Sequence, residues 1–176
     1  MSKTTFSRRK FLTITTGLGA GVLLARSGIA TAAKNEFPPM AGENMAYEIV
    51  KPDAEWANIL DDMQYKVLRH EATERPFTHP LLQENRVGTF HCAGCDLPVY
   101  ASETKFKSGT GWPSFYDNID DAVRTKEDRS FFSTRTEVHC RRCEGHFGHI
   151  FEDGPAPTGL RHCLNGASLT FKAKTA

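Results

Sequence analysis

Apolar and polar residues follow three different rules along this chain. Residues 13–25 are apolar almost throughout, rich in Gly and Thr, and follow the basic cluster Arg8-Arg9-Lys10. That stretch is shorter than the roughly 20 apolar residues a membrane-spanning helix needs. Further on, Trp56, Ile59, Leu60, Met63, Val67 and Leu68 recur near helical spacing. Their spacing predicts a helix that starts after Pro52, is capped by Asp53 and runs to about Arg69. Asp61-Asp62 can restart it as a second short helix, and the apolar residues are expected to pack. From Gly88 onward the rule changes again. Short runs at 88–92, 97–101, 131–140, 146–151 and 161–172 carry aromatic and β-branched residues between Gly, Pro or charge. These read as strands. The expected fold is mainly β and mostly antiparallel, with short helices on its N-terminal side.

Composition narrows the class. The chain has 176 residues, 24% charged and 39% hydrophobic. This suits one domain with a tail and excludes a disordered, collagen-like or multispanning membrane protein. Lys and Arg number 22 against 21 Asp and Glu. With no basic stripe among spaced aromatics, no nucleic-acid partner is expected. The distribution of charge says more than its total. Residues 1–32 hold five bases and no acid, and the remainder holds seventeen bases and twenty-one acids. A basic start, an apolar middle and Ala30-Thr31-Ala32 read as a secretory signal peptide cleaved after Ala32. The pair Arg8-Arg9 followed by Phe11-Leu12 resembles a twin-arginine export signal. The expected organisation is a signal peptide at 1–32, a linker or N-terminal arm at 33–45, and a functional domain at 46–172. The expected location is exported, in the periplasm.

Five cysteines carry the candidate chemistry. Cys92 and Cys95 form one Cys-x-x-Cys pair, and Cys140 and Cys143 form another. Each spacer lets a knuckle turn aim two sulfurs at one ion, and two knuckles complete a four-thiolate zinc site. A closed shell of four sulfurs offers substrate no position, so this zinc would be structural, one per chain. The intervening segment means that it would join distant strands. Two disulfides, or a redox-active Cys-x-x-Cys in a thiol–disulfide oxidoreductase, are the alternatives. Cys163 is left over, within Arg161-His162-Cys163-Leu164-Asn165. On a strand, Arg161, Cys163 and Asn165 share one face. An arginine stabilises a nearby thiolate, and an asparagine offers donors and an acceptor. This setting marks Cys163 as a candidate nucleophile.

The ordered set of motifs is similar to the type B methionine sulfoxide reductases, the family specific for the R epimer of methionine sulfoxide. The matching segments are residues 73–77 (TERPF), both cysteine pairs, 108–115 (SGTGWPSF), 146–151 (HFGHIF) and 161–165 (RHCLN). They span approximately residues 46–172. The resemblance implies two antiparallel sheets with short flanking helices and a structural zinc. It assigns Cys163 as the nucleophile, with His146 and His149 assisting at the sulfoxide oxygen. Asn165 and Arg161 take orienting and electrostatic positions. Trp112 would form the pocket for the substrate methyl group, with Phe151 adding to its wall. His162 stands where the family commonly has an aromatic and receives no catalytic role.

One departure bears on recycling. Many family members carry a resolving cysteine between the glycines before Trp-Pro-Ser-Phe, and here that residue is Thr110. With the other four cysteines committed to zinc, no internal resolving cysteine is expected. Oxidised protein substrates and an external donor, a thioredoxin-like protein or another thiol, are the implied partners. Monomer is the expected state. The competing reading is a zinc-stabilised binding module without catalysis.

Overall fold

The computed structural model describes residues 37–41, 46–130 and 133–175. The signal peptide expected at 1–32 lies outside the described residues. Among those residues, no helix is long and apolar enough to cross a membrane.

The N-terminal helical segment breaks where the doubled aspartate suggested. Helix α1 spans Asp53–Ile59 and α2 spans Asp62–His70. Asp61 caps α2 by accepting the Met63 and Gln64 amides at 2.9 and 2.8 Å. The Gln64 side chain returns the bond to the Asp61 amide at 3.1 Å, closing a capping box. Asp53 does not cap α1. Pro52 holds the cap position, and Asp53 sits in the first turn, where it accepts the Tyr65 hydroxyl. The buried face is narrower than expected. Trp56, Leu60, Val67 and Leu68 are buried, whereas Ile59 and Met63 are exposed.

In chain order the strands are β1 (Gly88–Cys92), β2 (Pro98–Ala101), β3 (Lys105–Phe106), β4 (Ser114–Phe115), β5 (Val123–Asp128), β6 (Arg135–Cys140), β7 (His146–Phe151), β8 (Arg161–Leu164) and β9 (Leu169–Ala173). They form two sheets with antiparallel pairing between named strands, ordered β2-β1-β9 and β3-β4-β8-β7-β6-β5. The core lies between the sheets. The Phe90 and Tyr100 rings of the smaller sheet meet Phe115 of the larger at centroid distances of 4.9 and 4.6 Å. Burying aromatic rings of this size contributes roughly 1.5–3 kcal/mol each.

Three expectations about strands change. The run at 131–140 is a strand only from Arg135, and residues 131–132 lie outside the described set. The run at 161–172 is two strands in different sheets, separated by a 3-10 turn at Gly166–Ser168. The hydrogen bonds responsible come from Glu74, as described below. The charged stretch of β5 was not expected to be a strand at all. Its Val123 and Thr125 are buried on alternate positions, which is the burial pattern of a half-covered strand. Part of the expected N-terminal arm runs along this strand. The Thr125 amide donates to Pro39 O at 3.0 Å and its carbonyl accepts the Ala41 amide at 2.8 Å.

His162 lies inside this core, 1% exposed, with Nδ1 2.9 Å from the Tyr100 hydroxyl. Burial pushes its pKa down from 6.5 to about 4. Between those values the unfolded chain binds the proton more readily, so stability present above pH 6.5 is lost as pH falls toward 4. The share from this residue is on the order of 3 kcal/mol. Denaturant melts at both ends of that window should therefore show a smaller acid loss in His162→Phe than in the parent; an equal loss would contradict the assignment.

Candidate active site and metal centre

The two knuckles are built alike. Each begins at a strand end, at Cys92 of β1 and Cys140 of β6. In each, the first cysteine's carbonyl accepts the amide of the residue after the second, Asp96 or Glu144, at 2.8 and 3.0 Å. Those two residues adopt left-handed conformations, φ 59° and 61°. The four Sγ atoms gather within 4.8 Å of one another. Cys92 and Cys143 are 3.7 Å apart, and Cys95 and Cys140 are 3.5 Å apart. Four sulfurs at about 2.3 Å from a tetrahedral zinc would lie about 3.8 Å apart, so the donor set fits such an ion. No disulfide joins them. Because β1 and β6 belong to different sheets, the cluster ties the two sheets together. Both helices cover it. Trp56 and Leu68 pack beside Gly94, and Arg69 donates to the Cys143 carbonyl at 2.9 Å. Of the histidines that precede the knuckles, His91 contacts the Asp96 carbonyl and His139 contacts the Tyr47 hydroxyl.

Cys163 sits in β8, between β4 and β7. Its register partners are Ser114 and His149. Around it opens a cleft of about 140 Å³ lined by Thr73, Trp112, Arg135, Gly148, His149, Phe151, Cys163, Leu164 and Asn165. That volume suits a single side chain entering from solvent. Thr110 brings its hydroxyl to 3.7 Å from Cys163 Sγ and is hydrogen-bonded to Ser108, which binds Ser114.

The histidine pair depends on a bulge. Residues three apart on a regular strand face opposite ways. The pairing of β6 with β7 slips between Val138 and His139, so His146 pairs with His139 although His149 pairs with Glu137. The His146 and His149 rings thereby come within 5.5 Å. Gly148 is required here because a Cβ on it would lie 2.1 Å from the Cys163 carbonyl oxygen. His149 lines the cleft and holds Asp128 Oδ2 at 2.8 Å. Burial lowers its pKa, with Asp128 pulling the other way. His146 lies behind it, buried, with Nδ1 2.9 Å from Glu137 Oε1.

Arg161 also stands behind the cleft wall. It makes a two-point ion pair with Asp153 at 2.8 and 2.9 Å and stacks 4.4 Å from the centroid of Phe151. Burial opposes its charge, but Asp153 and the Cys163 sulfur outweigh that and raise its pKa. Of the residues singled out from sequence, the structure thus brings Cys163, Trp112, His149, Phe151 and Asn165 to one cleft. His146 and Arg161 support it from outside.

Asn165 uses its side chain to hold the cleft together. Its Oδ1 accepts the Glu74 amide at 2.9 Å, and its Nδ2 donates to the Phe147 carbonyl at 3.0 Å. One amide N–H remains for a ligand. Glu74, matched by motif but given no role, is the organiser that the sequence reading missed. It is buried, and its carboxylate accepts the amides of Gly166 and Ala167 at 2.7 and 2.8 Å. Its carbonyl accepts Trp112 Nε1 at 3.1 Å. Thr73, Asp128 and Arg135 were missed as well. Only Thr73 lay in a matched segment; Asp128 reaches the site from β5, whose pattern carries no strand signal, and Arg135 from the start of β6, inside a run that was expected to be a strand.

A sequence profile described as the SelR domain matches residues 60–173. A protein of Methanosarcina barkeri named peptide methionine sulfoxide reductase MsrB is 53% identical over 127 residues, covering 72% of this chain and 89% of that one. A protein of the same name from Pseudomonas putida is 51% identical over 128 residues, covering 72% and 96%. Another, from Leptospira interrogans, is 47% identical over 129 residues, covering 73% and 98%.

Proposed function

The chain belongs to the SelR family of type B methionine sulfoxide reductases and reduces methionine sulfoxide in proteins; from that premise we propose that Cys163 is the nucleophile of this reaction. The observation that supports this is the placement of Cys163 in a side-chain-sized cleft with Trp112 on one wall and His149 in register beside it. A sulfoxide sulfur is electron-poor and its oxygen electron-rich. The sulfur of Cys163 takes the oxygen as a proton reaches it, releasing methionine and leaving a sulfenic acid on Cys163. His149 handles that proton, with His146 behind it. Trp112 and Phe151 offer apolar faces to the soft S-methyl group, and their position relative to Cys163 selects the R epimer. Arg161 supplies positive charge near the sulfur, and Asn165 orients the wall. A binding module without catalysis would not need Cys163, Trp112 and His149 in one cleft.

Recycling on this reading is external. Thr110, the neighbour of Cys163 Sγ, offers a hydroxyl that forms no disulfide. A donor thiol attacks the sulfenic acid, water leaves, and a second thiol resolves the mixed disulfide. Cys92, Cys95, Cys140 and Cys143 take no part, because they would hold a structural zinc, which supplies cross-linking rather than chemistry. Export through the twin-arginine route to the periplasm, with cleavage after Ala32, is the further part of the proposal. It rests on the basic, apolar and Ala-x-Ala order of residues 1–32. Folding before export would keep the cysteines reduced until the metal is bound.

Peptide-bound methionine sulfoxide resolved into its epimers tests the reaction. With a dithiol donor the mature chain should consume only the R epimer, and Cys163→Ser should lower turnover on the order of a thousandfold or more. Turnover of the S epimer, or an active serine variant, would contradict the assignment. Elemental analysis tests the centre: about one zinc per chain is expected. Its removal should cost stability on the order of several kcal/mol, below the roughly 10–16 kcal/mol of zinc-finger peptides. A fully stable protein with two disulfides in place of the metal would count against it.

A further inference from the structure

Asp128 is the last residue of β5, and its carboxylate gathers three partners. Oδ2 lies 2.8 Å from His149 Nε2 and accepts the Arg135 guanidinium at 2.6 Å. Oδ1 accepts the Ser130 amide at 2.8 Å. The Ser130 hydrogen bonds, and then His149 and Arg135, hold this carboxyl well below the usual carboxylate range despite its burial. Asp128 is therefore ionised and has no proton to give. The hydrogen it shares with His149 belongs to the ring, on Nε2. The neutral ring then carries its lone pair on Nδ1. Cys163 faces His149 across β8 and β7, and Glu137 faces it across β6 and β7. His146 stands beside it on its own strand. Burial, Arg135 and His146 press against a positive charge on the ring, and Asp128 supports one.

We propose that Asp128 is a positioning residue for the reduction: it fixes His149 in the Nε2–H tautomer and sustains its imidazolium, making Nδ1 the carrier of the reaction's proton. The proposal rests on the reading of Cys163 as nucleophile. The proton of the Cys163 thiol passes to Nδ1, and the imidazolium forms against Asp128. The substrate S–O bond breaks and an S–O bond to Cys163 forms, while the Nδ1 proton moves to that oxygen. The cysteine sulfur loses two electrons and the sulfoxide sulfur gains two. Methionine leaves, Nδ1 regains its lone pair, and no further reagent enters. Arg135 keeps Asp128 ionised by sharing the same oxygen. This differs from a purely structural ion pair because it makes the protonation state of one ring, rather than the shape of the cleft, depend on Asp128.

The test is nitrogen-resolved NMR of His149 in the metal-loaded full chain, followed by kinetics of Asp128→Asn. The unmodified protein should show the Nε2–H tautomer above the titration of His149. In Asp128→Asn, His149 should titrate at lower pH, and the alkaline limb of kcat should move the same way. At neutral pH kcat should fall at least about tenfold, with KM little changed. Asp128→Glu should restore part of the loss. An Nδ1–H tautomer in the unmodified protein would overturn the proposal, and that reading stands even if the asparagine variant fails to fold. So would a folded Asp128→Asn in which the His149 titration is unmoved, whatever its rate. Because the tautomer is read without turnover, its failure is distinct from a failure of Cys163 as nucleophile.

Discussion

The cleft depends on one buried carboxylate. Glu74 takes up two backbone amides just past β8, and its own amide and carbonyl bind Asn165 and Trp112. An amide left without a partner in this interior would cost roughly 1–3 kcal/mol, so the chain after Leu164 is held in a turn where both amides point at one carboxylate. That turn does two things at once. It ends β8 so that Cys163 stays near a strand terminus, open to the cleft, and it sends β9 to the other sheet. The same residue fixes the indole that forms the opposite wall. Cys163 and the indole are thereby positioned from a single point, 89 positions before Cys163 in the chain.

A second constraint sets the frame around that point. The cysteine cluster joins the turn after β1 to the turn after β6, one from each sheet, and the helices close over it. None of the four clustered cysteines lines the cleft around Cys163. Between them, the bulge in β7 turns both histidines to one side, and Gly148 lets β8 approach closely enough for His149 and Cys163 to pair. Function follows from these approaches of backbone to backbone more than from any one side chain.

Much of this is legible in the sequence, and the reasons differ by feature. The helix break is readable because Asp61 and Gln64 form a local capping box. The knuckles are readable because spacing alone brings two sulfurs together. Cys163 stands out as the unpaired thiol beside Arg161 and Asn165. What escapes the sequence is whatever depends on distant partners. A run of polar and charged residues such as 123–128 gives no strand signal, yet β6 and the arm at Pro39–Ala41 hold it in place as β5. Asp128 reaches His149 only through that pairing, opposite its register partner Arg135 of β6. The division of residues 161–172 into two strands follows from Glu74, which no local pattern could reveal. The three-residue spacing of His146 and His149 would place them on opposite faces of a regular strand, and only the bulge reverses that.

On the proposed function, Cys163 takes up the substrate oxygen and has no internal partner to release it. A single-turnover experiment without any reductant tests this most directly, using intact mass and peptide mapping after exposure to the R epimer. One methionine should be released per chain and one oxygen atom gained, mapped to Cys163 and trapped by a sulfenic-acid reagent. A disulfide between Cys163 and another cysteine of the chain, or methionine release with Cys163 unchanged, would contradict it.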